Sequence, residues 1–214
     1  MNILIAIPSC RAHLAYQQAQ RDTWIRDIPL AVDIRFFIGE QSEICEDEVY
    51  LGEDAFVPSQ GLKEYPTLPN KTKLVCEWAL KLGYDYVFKT DTDTLVNVKN
   101  LLNSGFENND YSGGYNHEEA GDFASGGAGY WLSRKAMRVV TDSFLTYWAE
   151  DVFVALALRE KGILPAWNSG YRWKPGEIVD REMITLHLRS ALNQRTYNPK
   201  WMYEHYERMT RDYF

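Results

Sequence analysis

Apolar positions fall in short blocks whose spacing alternates between strand and helix. Residues 3–7 (Ile-Leu-Ile-Ala-Ile) form an unbroken apolar run closed by Pro8-Ser9, the pattern of a buried strand opening into a loop. A helix is expected over 13–24, then a second strand over 32–38 (VDIRFFI) stopped at Gly39. Residues 40–69 are acidic and punctuated by Pro and Gly, with one short strand near 49–51. A helix follows over 71–82 and ends at Gly83; Leu74, Val75, Trp78, Ala79 and Leu82 share one face of it. Residues 84–89 (YDYVFK) give a third strand. Short strands at 111–115 and 129–132 surround a Gly-rich loop, and 134–145 and 150–161 read as helices. The last 50 residues are aromatic and basic without a clear period.

Strands alternating with helices predict an α/β fold, a Rossmann-like, mixed but mostly parallel sheet flanked by helices. Ligands of such sheets sit beyond the carboxyl ends of strands. Both Pro8-Ser9 and the segment Thr90-Asp91-Thr92-Asp93-Thr94 fall at such ends. The chain shows no internal repeat and no linker, so 1–214 reads as one domain, with 1–96 as one functional half and 97–214 as the other.

Composition narrows the class. With 45% hydrophobic and 25% charged residues, disordered, collagenous and coiled-coil chains are excluded. The formal charge of −7 is uneven: residues 1–158 carry 13 basic and 23 acidic groups, whereas 159–214 carry 10 basic and 7 acidic. That balance argues against nucleic acid or membrane as a bulk electrostatic partner, while the tail can face an anion through Arg172, Lys174 or Arg189. Cys10, Cys45 and Cys76 match neither a disulfide framework nor a CxxC metal clip and are expected as free thiols. No apolar window approaches the roughly 18 residues of a membrane span, and the first residues lack the basic flank of a signal peptide. A soluble, cytoplasmic protein is expected.

The sharpest chemical feature is the strand YVFK running into Asp91-Thr92-Asp93-Thr94. Two carboxylates two residues apart at a strand end can share a divalent cation, because hard cations prefer oxygen ligands and a diphosphate can fill the remaining positions. The same letters also fit the first motif of haloacid-dehalogenase-like phosphatases, with Asp91 as nucleophile and Asp93 as general acid. There, however, the motif closes the first strand, whereas about 90 residues precede it here. Glu150-Asp151 opens a helix, where capping explains one acid; the other can serve as a base toward a hydroxyl. Ser125-Gly126-Gly127-Ala128-Gly129-Tyr130 lets backbone approach a ligand, or makes a simple tight turn. His187 lies in an apolar stretch where a core role is the ordinary explanation.

The order of these motifs says more than any one of them. Ser9, Arg21-Asp22-Thr23-Trp24, Asn70-Lys71-Thr72, YVFKTDTDTLVN, GGAGYWLS, EDVFVALALREKGI and His187 together resemble the β-1,3-glycosyltransferase family of galactosyltransferases and Fringe enzymes, in its order, over roughly residues 3–190. The resemblance implies a GT-A fold, manganese (or magnesium), a nucleotide-sugar donor, commonly a UDP-sugar, and inversion at the anomeric carbon. By this likeness Asp91, Asp93 and His187 match metal positions, Asp151 the base, and Ser9, Arg21, Lys71, Asp91 and Thr92 donor-binding positions. Gly127, Gly129, Tyr130, Glu150 and Trp173 fall beside the donor sugar or acceptor. The family's middle acid is Thr92 here, and an expected arginine is Gln17. The missing membrane anchor and paired cysteines imply a soluble bacterial or viral member. The acceptor stays open among glycan, protein, lipid and modified nucleobase. A non-catalytic carbohydrate-binding relative is the third reading.

Aromatic residues make up 14% of the chain. Phe36, Phe37, Trp78, Tyr86 and Phe88 are expected in the core; Tyr115, Tyr130, Trp131, Trp148, Trp167, Tyr171, Trp173 and Trp201 are candidates for an acceptor groove.

Overall fold

β1 (Ile3–Pro8) is buried at all six positions and lies inside the sheet, next to its central strand. Its side chains alternate between two cores: Ile3, Ile5 and Ile7 enter one, Leu4 and Ala6 the other. A strand covered on both faces needs this unbroken apolar run. The computed structural model of the chain describes residues 1–40, 45–52, 67–194 and 196–213. Most of the acidic 40–69 segment therefore lies outside the described residues.

After β1, α1 (Leu14–Asp22) follows a 3-10 turn at Arg11–His13. The expected helix through Trp24 stops early: the Thr23 hydroxyl donates to the Ala19 carbonyl at 2.6 Å, and a second 3-10 turn begins at the fully buried Trp24. β2 (Val32–Ile38) and β3 (Glu48–Tyr50) continue the sheet in parallel. α2 (Thr67–Leu82) starts four residues before the expected Lys71, because Pro69 falls in the first turn, where no intrahelical N–H is required. β4 (Tyr86–Lys89) pairs in parallel with β1.

Beyond β4 the chain becomes less regular. β5 (Thr94–Val96) and α3 (Val98–Leu102) lead to β6 (Tyr111–Gly113). The expected strand over 111–115 is broken at Gly114, where a side chain would stand 2.6 Å from the Tyr171 carbonyl. β7 (Tyr115–Glu118) and β8 (Gly121–Ala124) then form a separate hairpin. β9 (Tyr130–Ser133) is inserted antiparallel between β4 and β6. α4 (Arg134–Asp142) is capped by the Ser133 hydroxyl. It ends short of the expected 145 because Ser143 turns extended and Lys73 Nζ holds its carbonyl at 2.6 Å.

α5 (Glu150–Arg159) is followed by β10 (Ala166–Trp167), β11 (Tyr171–Arg172), β12 (Thr185–His187), α6 (Leu188–Ala191) and α7 (Lys200–Tyr213). The main sheet runs β10-β6-β9-β4-β1-β2-β3, parallel at four of its six pairings, and β11-β12-β5 make a smaller one. One face of the main sheet packs on α2, α4 and α5, through Val75, Met137, Val140 and Leu158. The other packs on the small sheet and α7, through Leu95, Leu186, Met202 and Met209. α7 is a helix the sequence pattern did not show. Only Met202 and Met209 of its side chains are fully covered, too sparse a stripe to mark a period. Among the described residues no helix is long and apolar enough to cross a membrane. Cys10, Cys45 and Cys76 are free thiols, as expected.

Candidate active site

The loop after β4 carries Asp91, Thr92 and Asp93, and β5 turns back to pair antiparallel with β12, setting Thr94 opposite His187. The Leu188 N–H donates to the Asp93 carbonyl at 3.0 Å and fixes that crossing. Ligand atoms of Asp91, Asp93 and His187 consequently lie within 4.8 Å of one another. His187 Nε2 stands 3.0 Å from Asp93 Oδ1, and Ser190 Oγ stands 2.9 Å from Nδ1. Arg189 Nε approaches Asp93 Oδ2 at 3.3 Å. Burial would raise the Asp93 pKa, but His187 and Arg189 outweigh it and hold this carboxyl below its usual range. Two carboxylates and an imidazole suit a manganese-type cation. The backbone also leaves room for that imidazole: a side chain at Gly127 would lie 2.4 Å from His187 Nδ1.

A second cluster lies against the first. Lys89, the last residue of β4, is 2% exposed. Its Nζ donates to Asp91 Oδ1 at 2.8 Å, to Glu150 Oε2 at 3.0 Å and to the Gly126 carbonyl at 3.3 Å. Burial alone would lower its pKa, but the Asp91 and Glu150 carboxylates overcome this and raise it. The Tyr130 hydroxyl donates to Glu150 Oε1, so both oxygens of that acid are taken. Asp151 is held by backbone donors instead and is less buried: its Oδ2 accepts the Gly126 N–H at 2.9 Å and its Oδ1 the Val152 N–H at 3.0 Å. Burial pushes the Asp151 pKa up against the pull of those N–H groups and of Lys89. Glu150 is raised for the same first reason.

The 125–129 loop joins the two clusters. Thr94 Oγ1 donates to the Gly127 carbonyl and Thr185 Oγ1 to that of Ala128, each at 2.6 Å. Gly129 adopts φ +87°, which a side chain would strain, and any Cβ there would stand 2.5 Å from Phe88.

The donor-side residues do not all meet. Ser9, Arg21 and Lys71 gather beyond β1: Lys71 Nζ donates to the Ser9 carbonyl at 2.5 Å, and Gln17 bridges the Ser9 hydroxyl (2.9 Å) and Arg21 Nη2 (3.1 Å). Gln17, where the resemblance implies arginine, is therefore an uncharged bridge between Ser9 and Arg21. Arg21 itself is engaged by Asp47 at 2.7 and 2.8 Å. Burial lowers the Lys71 pKa to about 8. Thr92 points elsewhere, with Oγ1 3.3 Å from His13 Nδ1.

The aromatic candidates divide. Tyr130, Trp131 and Tyr171 are buried, Trp131 stacking on Phe106 at 3.7 Å, and so form core instead of groove. Trp173 is half-buried and donates to the Tyr115 carbonyl at 3.0 Å. Tyr115, Trp148 and Trp167 are exposed; Trp167 meets Tyr115 edge to face at 5.0 Å and lines a cleft of about 340 Å³ with His117, Asp122, Arg159, Leu164 and Pro165. Of the basic tail residues, Arg172 is spent on Asp180 and Lys174 lies against the Trp173 ring, which leaves Arg189 at the site. Lys89 escaped the sequence reading. Its only signal was a lysine closing an otherwise apolar strand directly before two aspartates.

No protein-family model matches the chain, and no curated protein matches it. Solved structures do match. An active-site mutant of LgtC is 14% identical, with a TM-score of 0.56 over 94% of both chains. The galactosyltransferase LgtC bound to donor and acceptor sugar analogs gives 0.55, also at 14% identity, over 97% of this chain and 96% of that one. The apo-form glycosyltransferase GlyE of Streptococcus pneumoniae TIGR4 is 11% identical, at 0.55 over 96% of this chain and 60% of that one. A glycosyltransferase involved in glycosylation of the major capsid of PBCV-1 is 14% identical, at 0.53 over 97% and 100%. The fold is that of GT-A glycosyltransferases. The phosphatase reading gains no support: these neighbours are glycosyltransferases, and Asp93, its required general acid, is held toward the ionised form by His187 and Arg189.

Proposed function

We propose that the protein is a metal-dependent inverting glycosyltransferase that moves a sugar from a nucleotide-sugar, a UDP-sugar first, to a hydroxyl of a carbohydrate or glycoconjugate acceptor. The observation that carries this reading is the Asp91, Asp93 and His187 triad at the carboxyl end of the sheet, joined through one lysine and one glycine to Asp151. Asp91, Asp93 and His187 would hold the cation, with manganese ahead of magnesium because one ligand is imidazole. When bound, such an ion neutralises charge on a departing diphosphate.

The chain's own residues supply the rest. Asp151 takes the proton of the attacking hydroxyl; two backbone N–H groups fix its carboxylate while using two of about four acceptor sites, so acceptor capacity remains. Its raised pKa makes it a stronger base than a solvated aspartate. A single displacement assisted by one base inverts the anomeric carbon. Arg189 adds positive charge beside Asp93 where a phosphate oxygen would lie. The motif order supports a β-1,3 linkage, and the neighbour LgtC, solved with donor and acceptor sugar analogs, supports a sugar on both sides of the reaction. The cleft beside Trp167 offers an aromatic face, an imidazole–carboxylate pair and a guanidinium to an extended acceptor. Three free thiols fit a reducing, cytoplasmic setting.

A thermal-shift panel of nucleoside diphosphates and nucleotide sugars, each with and without manganese, tests the reading. Stabilisation by UDP plus manganese is expected, followed by transfer whose product anomer is read by NMR. Release of phosphate from an aryl phosphate with no nucleotide response would replace this function with the phosphatase one. Glycan binding with no hydrolysis of any donor would leave a binding module.

A further inference from the structure

We infer that Lys89 is a positioning residue that locks the metal-ligand side of the site to the base side, an inference that rests on the function proposed above. The ammonium group has three N–H donors, and all three are committed, to Asp91, Glu150 and the Gly126 carbonyl. No donor is left for a phosphate or sugar, and the side chain is only 2% exposed. Direct substrate binding and proton transfer are thereby ruled out as its role.

The three acceptors come from three separate elements: the loop after β4, the first turn of α5, and the glycine loop before β9. Lys89 is itself held by the sheet, opposite Ala6 on β1 and Tyr130 on β9. A fixed cation therefore sets the orientation of the Asp91 carboxylate directly. It sets Asp151 at one remove, because the Gly126 peptide that gives its carbonyl to Lys89 gives its N–H to Asp151 Oδ2. Glu150 completes the arrangement as the buried counter-charge. Its two oxygens are occupied by Lys89 and Tyr130, which separates it from Asp151 although the two are adjacent in sequence.

The test compares Lys89→Met with the pair Lys89→Met/Glu150→Gln, which removes the lysine without leaving a buried carboxylate unpaired. Manganese alone is titrated into each protein, with free ion read by electron paramagnetic resonance, beside the thermal midpoint and a separation of kcat from KM. Lys89→Met is expected to lose thermal stability, to weaken manganese binding by about 10- to 100-fold, as loss of a ligand-orienting partner does, and to lower kcat more than it raises donor KM. In the double variant the thermal midpoint returns toward wild type while manganese affinity and kcat stay low. A double variant with wild-type manganese affinity and kcat would show a merely structural lysine and overturn the inference alone. Wild-type protein that fails to bind manganese would overturn the proposed function and, with it, this role.

Discussion

Asp93 and Asp151 are the same side chain placed in opposite surroundings. Asp93 faces the His187 imidazole and the Arg189 guanidinium, and its pKa is held below the usual range despite burial. Asp151 faces backbone N–H groups, with Lys89 turned to other acceptors, and burial raises its pKa. The helix N-terminus favours negative charge at Asp151, yet does not cancel the desolvation. Neighbours, not residue type, make one carboxylate suited to holding a cation and the other suited to taking a proton. The adjacent Glu150 sharpens the contrast: it is also raised by burial, but it is 4% exposed and closed in by Lys89 and Tyr130, whereas Asp151 keeps part of its surface open.

The largest effect that separates the two is expected from Asp151→Asn. It should lower kcat by about 10²- to 10⁴-fold, the usual contribution of a general base, while manganese and UDP binding measured by titration calorimetry stay intact. Normal turnover would end the base assignment. Asp93→Ala should do the reverse at the binding step and abolish metal-dependent UDP binding, observed as loss of the manganese-dependent thermal shift. Gly127→Ala presses a methyl group into the His187 ring and should weaken manganese by about 10- to 100-fold without touching Asp151; unchanged affinity would remove His187 from the ligand set.

Acid pH gives a smaller, graded separation. The Asp151 pKa lies above its ordinary value of 3.8, so kcat should fall on acidification with an apparent pKa above 3.8, as protonation removes the base. The stabilising pairing of Asp93, whose pKa lies below 3.8, is fully present above that pH and is lost only as pH falls through its lower folded value. Activity should therefore fall at a higher pH than the one at which the Asp93 pairing is lost, a sequence readable by parallel rate and manganese-binding titrations. The smallest change is expected from Trp167→Ala, a several-fold rise in acceptor KM with kcat and donor KM preserved.

Much of the parallel half of the sheet is legible in the sequence because β1 is an unbroken apolar run, β4 nearly so, and β2 alternates polar and apolar residues before its buried Phe36, Phe37 and Ile38. The smaller sheet is not. β5 and β12 are three residues each and are defined by pairing across the chain, which no local period records. The aspartates stood out by their place after a strand, and His187 entered only through the order of motifs, since one histidine in an apolar stretch looks like core. Lys89 was hidden by the opposite bias, because a lysine closing a strand looks like the point where the chain reaches solvent. Tyr130, expected beside a sugar, is instead the fully buried partner of Glu150, a use of its hydroxyl that only the antiparallel insertion of β9 creates.

The crossing of β5 and β12 also fixes when in the life of the chain the site comes into being. His187 meets Asp93 across 94 residues, so a growing polypeptide carries both aspartates, complete with their strand, long before the imidazole has been synthesised. Late, long-range pairing of this kind is the slow part of assembly. The Asp91, Asp93 and His187 cluster is thus complete only once β12 has paired with β5.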